Sequence, residues 1–287
     1  MKGNLDPFHA VKRWWGGKPV QSDTERLGID PSTKEGAFEC LILGILYSIE
    51  DTGPDIQNTL NALRKDGLTK VDLLARIDEN SGEWAKMDKI WKEYYFGGRL
   101  PAKIGQIVQN ARLINSDNQL AGDIRKVYSI CSGNGLQMHS WLWKLNGIKK
   151  KTFWMMREMR MSRVWDIDGM YCCVPDKQVG SSLERWHKIE KFPDYHSLKV
   201  YRECSRIVWD YFRGLYDFPV LHYAREYKCN DERRRRCSEC EIVPCEARLG
   251  ADGDSLMEER ETKYCIECGA AIAKRAKYCA QCGAYQL

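Results

Sequence analysis

From Glu35 onward the apolar residues of this chain recur at helical spacing, and before the C-terminus they almost never alternate. The segments "AFECLILGILYSI", "DIQNTLNALRKDG", "TKVDLLARI", "EWAKMDKIWKEYY", "AKIGQIVQNARLIN" and "GLQMHSWLWKLNGI" read as short helices joined by short turns, so the body is expected to be mainly α. Further helices are expected from about 195 to 216 and from 218 to 228. With 287 residues, 43% of them hydrophobic and 11% aromatic, there is material for one large domain or two moderate ones plus an appendage. The "WWGGKP" at Trp14–Pro19 reads as a turn whose tryptophans pack on the body.

Thirteen cysteines and no apolar run of membrane-spanning length suggest a soluble, intracellular (cytoplasmic or nucleoid) protein that uses thiols for metal. Near the C-terminus, Cys265 and Cys268 form one C-x2-C knuckle and Cys279 and Cys282 another, each followed by Gly-Ala. Four thiolates from two turns suit tetrahedral Zn²⁺, and so short a segment needs metal to fold; it resembles the zinc-ribbon modules. A second set, Cys229, Cys237, Cys240 and Cys245, sits in one compact loop spaced x7, x2, x4, which suits either zinc or a [4Fe–4S] cube. The same loop carries Arg233 and Arg234 within a run of four arginines, a phosphate-binding edge or a solvated charge run. Cys40, Cys131, Cys172, Cys173 and Cys204 have no ligand spacing and read as core.

The net charge is only +5, but it is concentrated. Between Ser140 and Arg163, Lys144, Lys149, Lys150, Lys151, Arg157, Arg160 and Arg163 face Glu158 alone. Three adjacent lysines precede the apolar "TFWMM", a costly neighbour for unneutralised charge. By itself such a run is most often a solvated turn.

A helical body, a helix–turn–helix bearing a lysine, an aspartate some two dozen positions on and a four-cysteine loop come in an order that resembles the helix-hairpin-helix DNA glycosylases, specifically the endonuclease III branch. The resemblance covers about 36–245. The hairpin L-P-G-V-G-x-K-T of that family corresponds to Leu145–Thr152, "LNGIKKKT", and "VPDKQV" supplies its aspartate as Asp176. "GAFECLILGILYSIEDT" resembles the helix before the DNA-wedging loop, "LPAKIGQIVQNARLI" the helix before the hairpin, and "LHYAREYKC" the helix leading into an iron–sulfur loop. Asn146 and Lys149 stand where the family has proline and glycine, and the connection from Lys151 to Asp176 is longer.

The resemblance implies a two-lobed all-helical glycosylase fold with a four-cysteine iron–sulfur loop, to which this chain adds a zinc ribbon. The domains expected are an N-terminal arm, 1–35, packing on the metal-loop lobe; a helical barrel lobe, 36–165, including the hairpin 140–157; a second lobe, 166–245, with the cluster loop 229–245; an acidic linker, 246–262; and the ribbon, 263–287. It also implies a base-excision-repair glycosylase with lyase activity acting on double-stranded DNA that contains a damaged base, an oxidised one above all. Lys151 would be the nucleophile and Asp176 its carboxylate partner. Gly147, Lys149, Lys150 and Thr152 would hold phosphate. The wedge would come from Ile49, with Glu50 at the aligned position. Cys229, Cys237, Cys240 and Cys245 would hold [4Fe–4S], with zinc the alternative, and Cys265, Cys268, Cys279 and Cys282 would hold Zn²⁺. Like charge from Lys149 and Lys150, the positive end of a helix and the apolar wall 153–156 would all disfavour the charged form of Lys151. Two alternatives stay open: a glycosylase of the same fold without lyase action, and a non-catalytic DNA-binding protein. The ribbon would clamp DNA through Lys274, Arg275 and Lys277 or dock a protein partner. The protein is expected to act as a monomer and away from membranes.

Overall fold

The computed structural model describes residues 6–47, 53–94, 100–193, 196–229, 235–237, 239–242, 245, 262–264 and 271–273. It is mainly helical, as the spacing of apolar residues predicts. The helices are α1 (Pro7–Trp15), α2 (Asp23–Arg26), α3 (Lys34–Leu46), α4 (Gly53–Lys65), α5 (Val71–Leu74), α6 (Gly82–Tyr94) and α7 (Leu100–Ser116). They continue as α8 (Val127–Ile130), α9 (Gly135–Leu142), α10 (Lys151–Met161), α11 (Lys177–Arg185), α12 (Leu198–Tyr211) and α13 (Phe218–Glu226). Two short 3₁₀ turns, Ile124–Lys126 and Gly169–Tyr171, complete the helical part. At the C-terminus β1 (Thr262–Tyr264) pairs antiparallel with β2 (Ala271–Ala273), placing Lys263 opposite Ile272. No described helix is long and apolar enough to cross a membrane.

The centre of the core is α3. Thr33 caps it by accepting from the Gly36 amide at 3.0 Å, and every residue from Gly36 to Leu46 is buried. A helix apolar on all sides belongs inside, and α3 packs against both α7 and α10. Its one buried charge, Glu39, accepts three hydrogen bonds from Arg64 at 2.8–3.1 Å, and Arg64 also donates to the carbonyls of Leu27 and Gly28. That arrangement meets the requirement that a buried charge be paired.

The segment before α3 packs as an arm. Asp6 caps α1 through the Phe8 amide, and Gly16 at φ +60° ends it in the left-handed region. α1 lies against α13, with Trp14 edge-on to Tyr223 and Trp15 against His222, and Arg13 forms an ion pair with Glu241. Cys40, Cys131, Cys172, Cys173 and Cys204 are all buried. The pattern "TKVDLLARI" yields only the single turn α5, because Ala75 already closes it.

Candidate active site and metal loop

The hairpin comes from α9 and α10, but its connection is longer than the sequence suggests. α9 ends at Leu142, and residues 143–150 form consecutive turns before α10 begins at Lys151. Leu145 and Ile148 are buried and anchor this loop, the Ile148 side chain lying over Gly44 of α3. Gly147 has φ +80°, and a Cβ there would strike the Gln106 side chain. Both a conformation and a close approach therefore require glycine. Asn146 stands where the resemblance has proline, and its backbone shows why. Its amide donates to Asn110 Oδ1 at 2.8 Å, and Asn110 Nδ2 returns a bond to its carbonyl at 2.9 Å. A proline has no N–H to offer, so here α7 grips the hairpin through a fully buried asparagine instead.

The amides of Gly147, Lys149 and Lys150 make no hydrogen bond among the described residues. Turn amides left free beside lysines and the start of α10 are a feature suited to an anion. Replacing Gly147 by alanine should cost about 1–2 kcal/mol through the positive φ alone. We expect thermal melts to show that loss and fluorescence anisotropy to show weaker DNA binding. Unchanged values for both would mean that the turn has a second conformation alanine tolerates.

The three lysines do different things. Lys149 Nζ donates to the Trp143 carbonyl at 2.8 Å and lies 5.9 Å from the Trp143 ring centre, so it closes the turn it belongs to. Lys150 is half-exposed and points no hydrogen bond at the protein among the described residues. Lys151 is half-buried at the first position of α10, its Nζ 5.9 Å from the ring centre of Tyr47. Its ammonium is disfavoured, first by burial, then by the charges of Lys150 and Arg157; Asp176 and Asp217 act the other way. Lys149, expected to contribute, is not among the causes. Thr152 needs correcting as a phosphate contact. Its side chain is fully buried and Oγ1 has no partner among the described residues, so the hydroxyl does not reach the surface.

Asp176 caps α11, a helix whose "KQVGSSLER" was not recognised as one, and accepts from the Val179 amide at 2.9 Å. It remains half-buried and close enough to act on Lys151. The long connection from α10 to Asp176 is packed: Trp165 is buried with its indole N–H on the Arg125 carbonyl at 3.0 Å, and the 3₁₀ turn 169–171 lies on α12.

The positive field around the hairpin is smaller than the sequence count implies. Arg157 is 3% exposed, and its Nη1 reaches both Asp217 oxygens at 2.9 and 3.0 Å. Its Nε donates to Glu158 at 3.1 Å, and Nη2 stands 3.7 Å from Asp23. Glu158 takes two more bonds from Thr24 of the arm, and Asp23 one from the Trp154 indole. One guanidinium on the helix that Lys151 begins is thus surrounded by three carboxylates, a cluster the sequence reading missed. The available signal was the Arg-Glu pair inside the otherwise apolar run "FWMMREM".

No family model, curated protein or solved structure matches this chain.

The thiols Cys229, Cys237, Cys240 and Cys245 all line one cavity, walled by Trp186, Tyr223, Tyr227, Ile242 and the side chain of Arg185. Burial pushes the Cys229 thiol up to about 12. Tyr223 Oη lies 3.2 Å from Cys240 Sγ, and the charge of Arg185 is felt with Cys229 and Cys245. By chemistry, four thiols behind a largely apolar wall suit either a thiolate-bound cube or one zinc ion. Among the described residues, no three metal-binding side chains stand at ligating distance from a common point. The expected wedge residues Ile49 and Glu50, the arginines Arg233 and Arg234, and the ribbon cysteines Cys265, Cys268, Cys279 and Cys282 lie outside the described residues.

Proposed function

We propose that this chain is a helix-hairpin-helix DNA glycosylase with lyase activity, acting on a damaged base in duplex DNA. The observation that carries the reading is Lys151. It is a half-buried amine, held toward its neutral form, at the start of the hairpin's second helix, and it feels the charge of a carboxylate, Asp176, that caps another helix.

A neutral amine has the lone pair needed to attack the sugar C1′. The C1′–base bond breaks as the N–C1′ bond forms, and the base leaves with the electron pair, to be neutralised by the proton that the attacking nitrogen gives up through Asp176. The Asp176 carboxylate stabilises the positive charge that develops on the sugar and accepts a proton from the Lys151 nitrogen. Opening of the sugar ring gives a Schiff base, and loss of a C2′ proton then expels the 3′ phosphate. Free amides of the hairpin and Lys150 hold the flanking phosphate. Extruding the nucleotide costs a few kcal/mol, which the expected wedge residue Ile49 would offset by filling the gap.

Cys229, Cys237, Cys240 and Cys245 would hold a [4Fe–4S] cluster that staples the C-terminal end of the second lobe, and Cys265, Cys268, Cys279 and Cys282 a zinc ion. A cluster supplies structural cross-linking and one-electron chemistry when bound; the excision steps use neither. Protein purified without oxygen is expected to contain iron and acid-labile sulfide in equal amounts together with zinc. Cys240→Ser should lose the iron and keep the zinc. Zinc alone, at two ions per chain, would assign the first loop to zinc.

The test of function is borohydride trapping on duplexes carrying thymine glycol, 8-oxoguanine, uracil or an abasic site. A covalent adduct on a base lesion is expected. Base release without an adduct would point to a glycosylase without lyase action. Tight, salt-dependent binding with neither would leave a DNA-binding protein.

A further inference from the structure

Asp217 stands at the N-cap of α13, where an aspartate ordinarily accepts from its own helix, yet it makes no capping bond. Pro219 in the first turn already removes one of the amides a cap would satisfy. The carboxylate is turned inward instead. Oδ1 accepts from the Val174 amide at 2.9 Å while both oxygens take Arg157 Nη1. Arg157 is on the helix that begins with Lys151, and Val174 lies two residues before Asp176. A single carboxylate therefore bridges the lysine's helix to the segment that delivers the aspartate. The same segment is pinned once more by Ser205 of α12, which accepts from the Cys173 amide at 3.0 Å and donates to the Met170 carbonyl at 2.6 Å.

We infer that Asp217, clasped by Arg157, is a positioning residue that fixes the backbone ahead of Asp176 against the helix of Lys151, and so sets how amine and carboxylate meet the same sugar carbon. The inference rests on the glycosylase reading of those two residues. The arm completes the clasp: Asp23 and Thr24 occupy the remaining faces of the Arg157–Glu158 pair, so Arg157 has little freedom to turn away. The charged groups acting on Lys151 are Asp176, Lys150, Arg157 and Asp217. Neutralising Asp217 removes one of the two carboxylates that favour its ammonium, and leaves Arg157 less compensated. Both changes push the amine in the same direction, toward losing its proton at lower pH.

The experiment uses full-length protein with ¹³C-labelled lysine, the Lys151 signal being assigned by its absence in Lys151→Met. In Asp217→Asn, which keeps an oxygen for Val174, the Lys151 titration midpoint is expected to fall and the Val174 amide to stay protected from exchange. In Asp217→Ala that amide should exchange at least tenfold faster. The plateau rate of trapping on an abasic duplex should fall by roughly 10²-fold, the scale of a misplaced reacting group, at unchanged DNA affinity, with Asn restoring most of it. An unmoved Lys151 midpoint in Asp217→Asn overturns the inference, as does an unchanged plateau in Asp217→Ala; if the alanine variant does not fold, the asparagine variant decides. A wild type that never forms an adduct, but shows the shifted midpoint and the exposed Val174 amide, would remove the glycosylase reading and leave the clasp standing.

Discussion

Lys151→Ala should abolish the borohydride-trapped adduct, by on the order of 10³-fold or more, while the protein still folds and binds DNA. Removing an activated nucleophile leaves only the contributions of binding and charge stabilisation, which is why losses of this size are expected. Affinity should change little, because the unpaired amides and Lys150 belong to the turn before Lys151. In the wild type the trapping rate should rise with pH and level off below the ordinary lysine value of 10.5, since burial and the charges of Lys150 and Arg157 lower it. Stability should rise with pH as well. With a folded-state value below the unfolded one, the buried ammonium costs stability at pH below the folded value, and that cost fades as pH rises toward 10.5. Lys151→Met is therefore expected to melt higher than wild type at neutral pH, with the gap closing in alkali. A lysine that merely neutralised phosphate on the surface would give a methionine variant of unaltered stability, and alanine would weaken binding rather than chemistry. That pair of results would end the catalytic reading of this residue.

What the sequence disclosed and what it hid follow from the range of the interactions concerned. The central helix α3 was legible because eleven consecutive buried residues leave an unmistakable apolar run. The hairpin was legible because Gly147 is forced by a left-handed backbone, a local demand that shows in a single residue type. Asp176 was singled out, but the helix it caps was not, because "KQVGSSLER" is short and two of its buried positions are glycine and serine. Arg157 was misread for the opposite reason. Its partners Asp23 and Asp217 lie on the arm and at the head of α13, far away in sequence, so counting charges along the chain placed an interior cation on the surface. The same limit governs Lys149, whose carbonyl partner is six residues back and whose charge is spent closing a turn. Long-range pairing decides which charges of a basic segment remain available to a polyanion, and composition alone does not carry it.

The cluster around Arg157 should also produce the largest stability effect in the molecule. Arg157→Met keeps the length and packing of the side chain over Phe218, which the guanidinium now faces at 4.2 Å, but deletes the cation shared by Asp23, Glu158 and Asp217. Leaving buried carboxylates without their partner costs about 3–5 kcal/mol, enough to lower the melting temperature by on the order of 10 °C. The pH dependence identifies the cause. Burial already raises the carboxyls of Asp217 and Glu158 above their ordinary values, with Arg157 opposing it in both. An acid whose folded value lies above its unfolded one costs stability once the pH exceeds the folded value, and the cost is relieved as pH falls through it. Without Arg157 those folded values rise further, so acidification from neutral pH should recover part of the variant's deficit by protonating the orphaned groups. Adding Asp217→Asn to Arg157→Met should recover part of it at neutral pH as well, since the amide still accepts from Val174 and carries no charge. A deficit that is independent of pH and indifferent to Asp217→Asn would mean that lost packing, rather than stranded charge, limits the variant, and that water reaches these carboxylates.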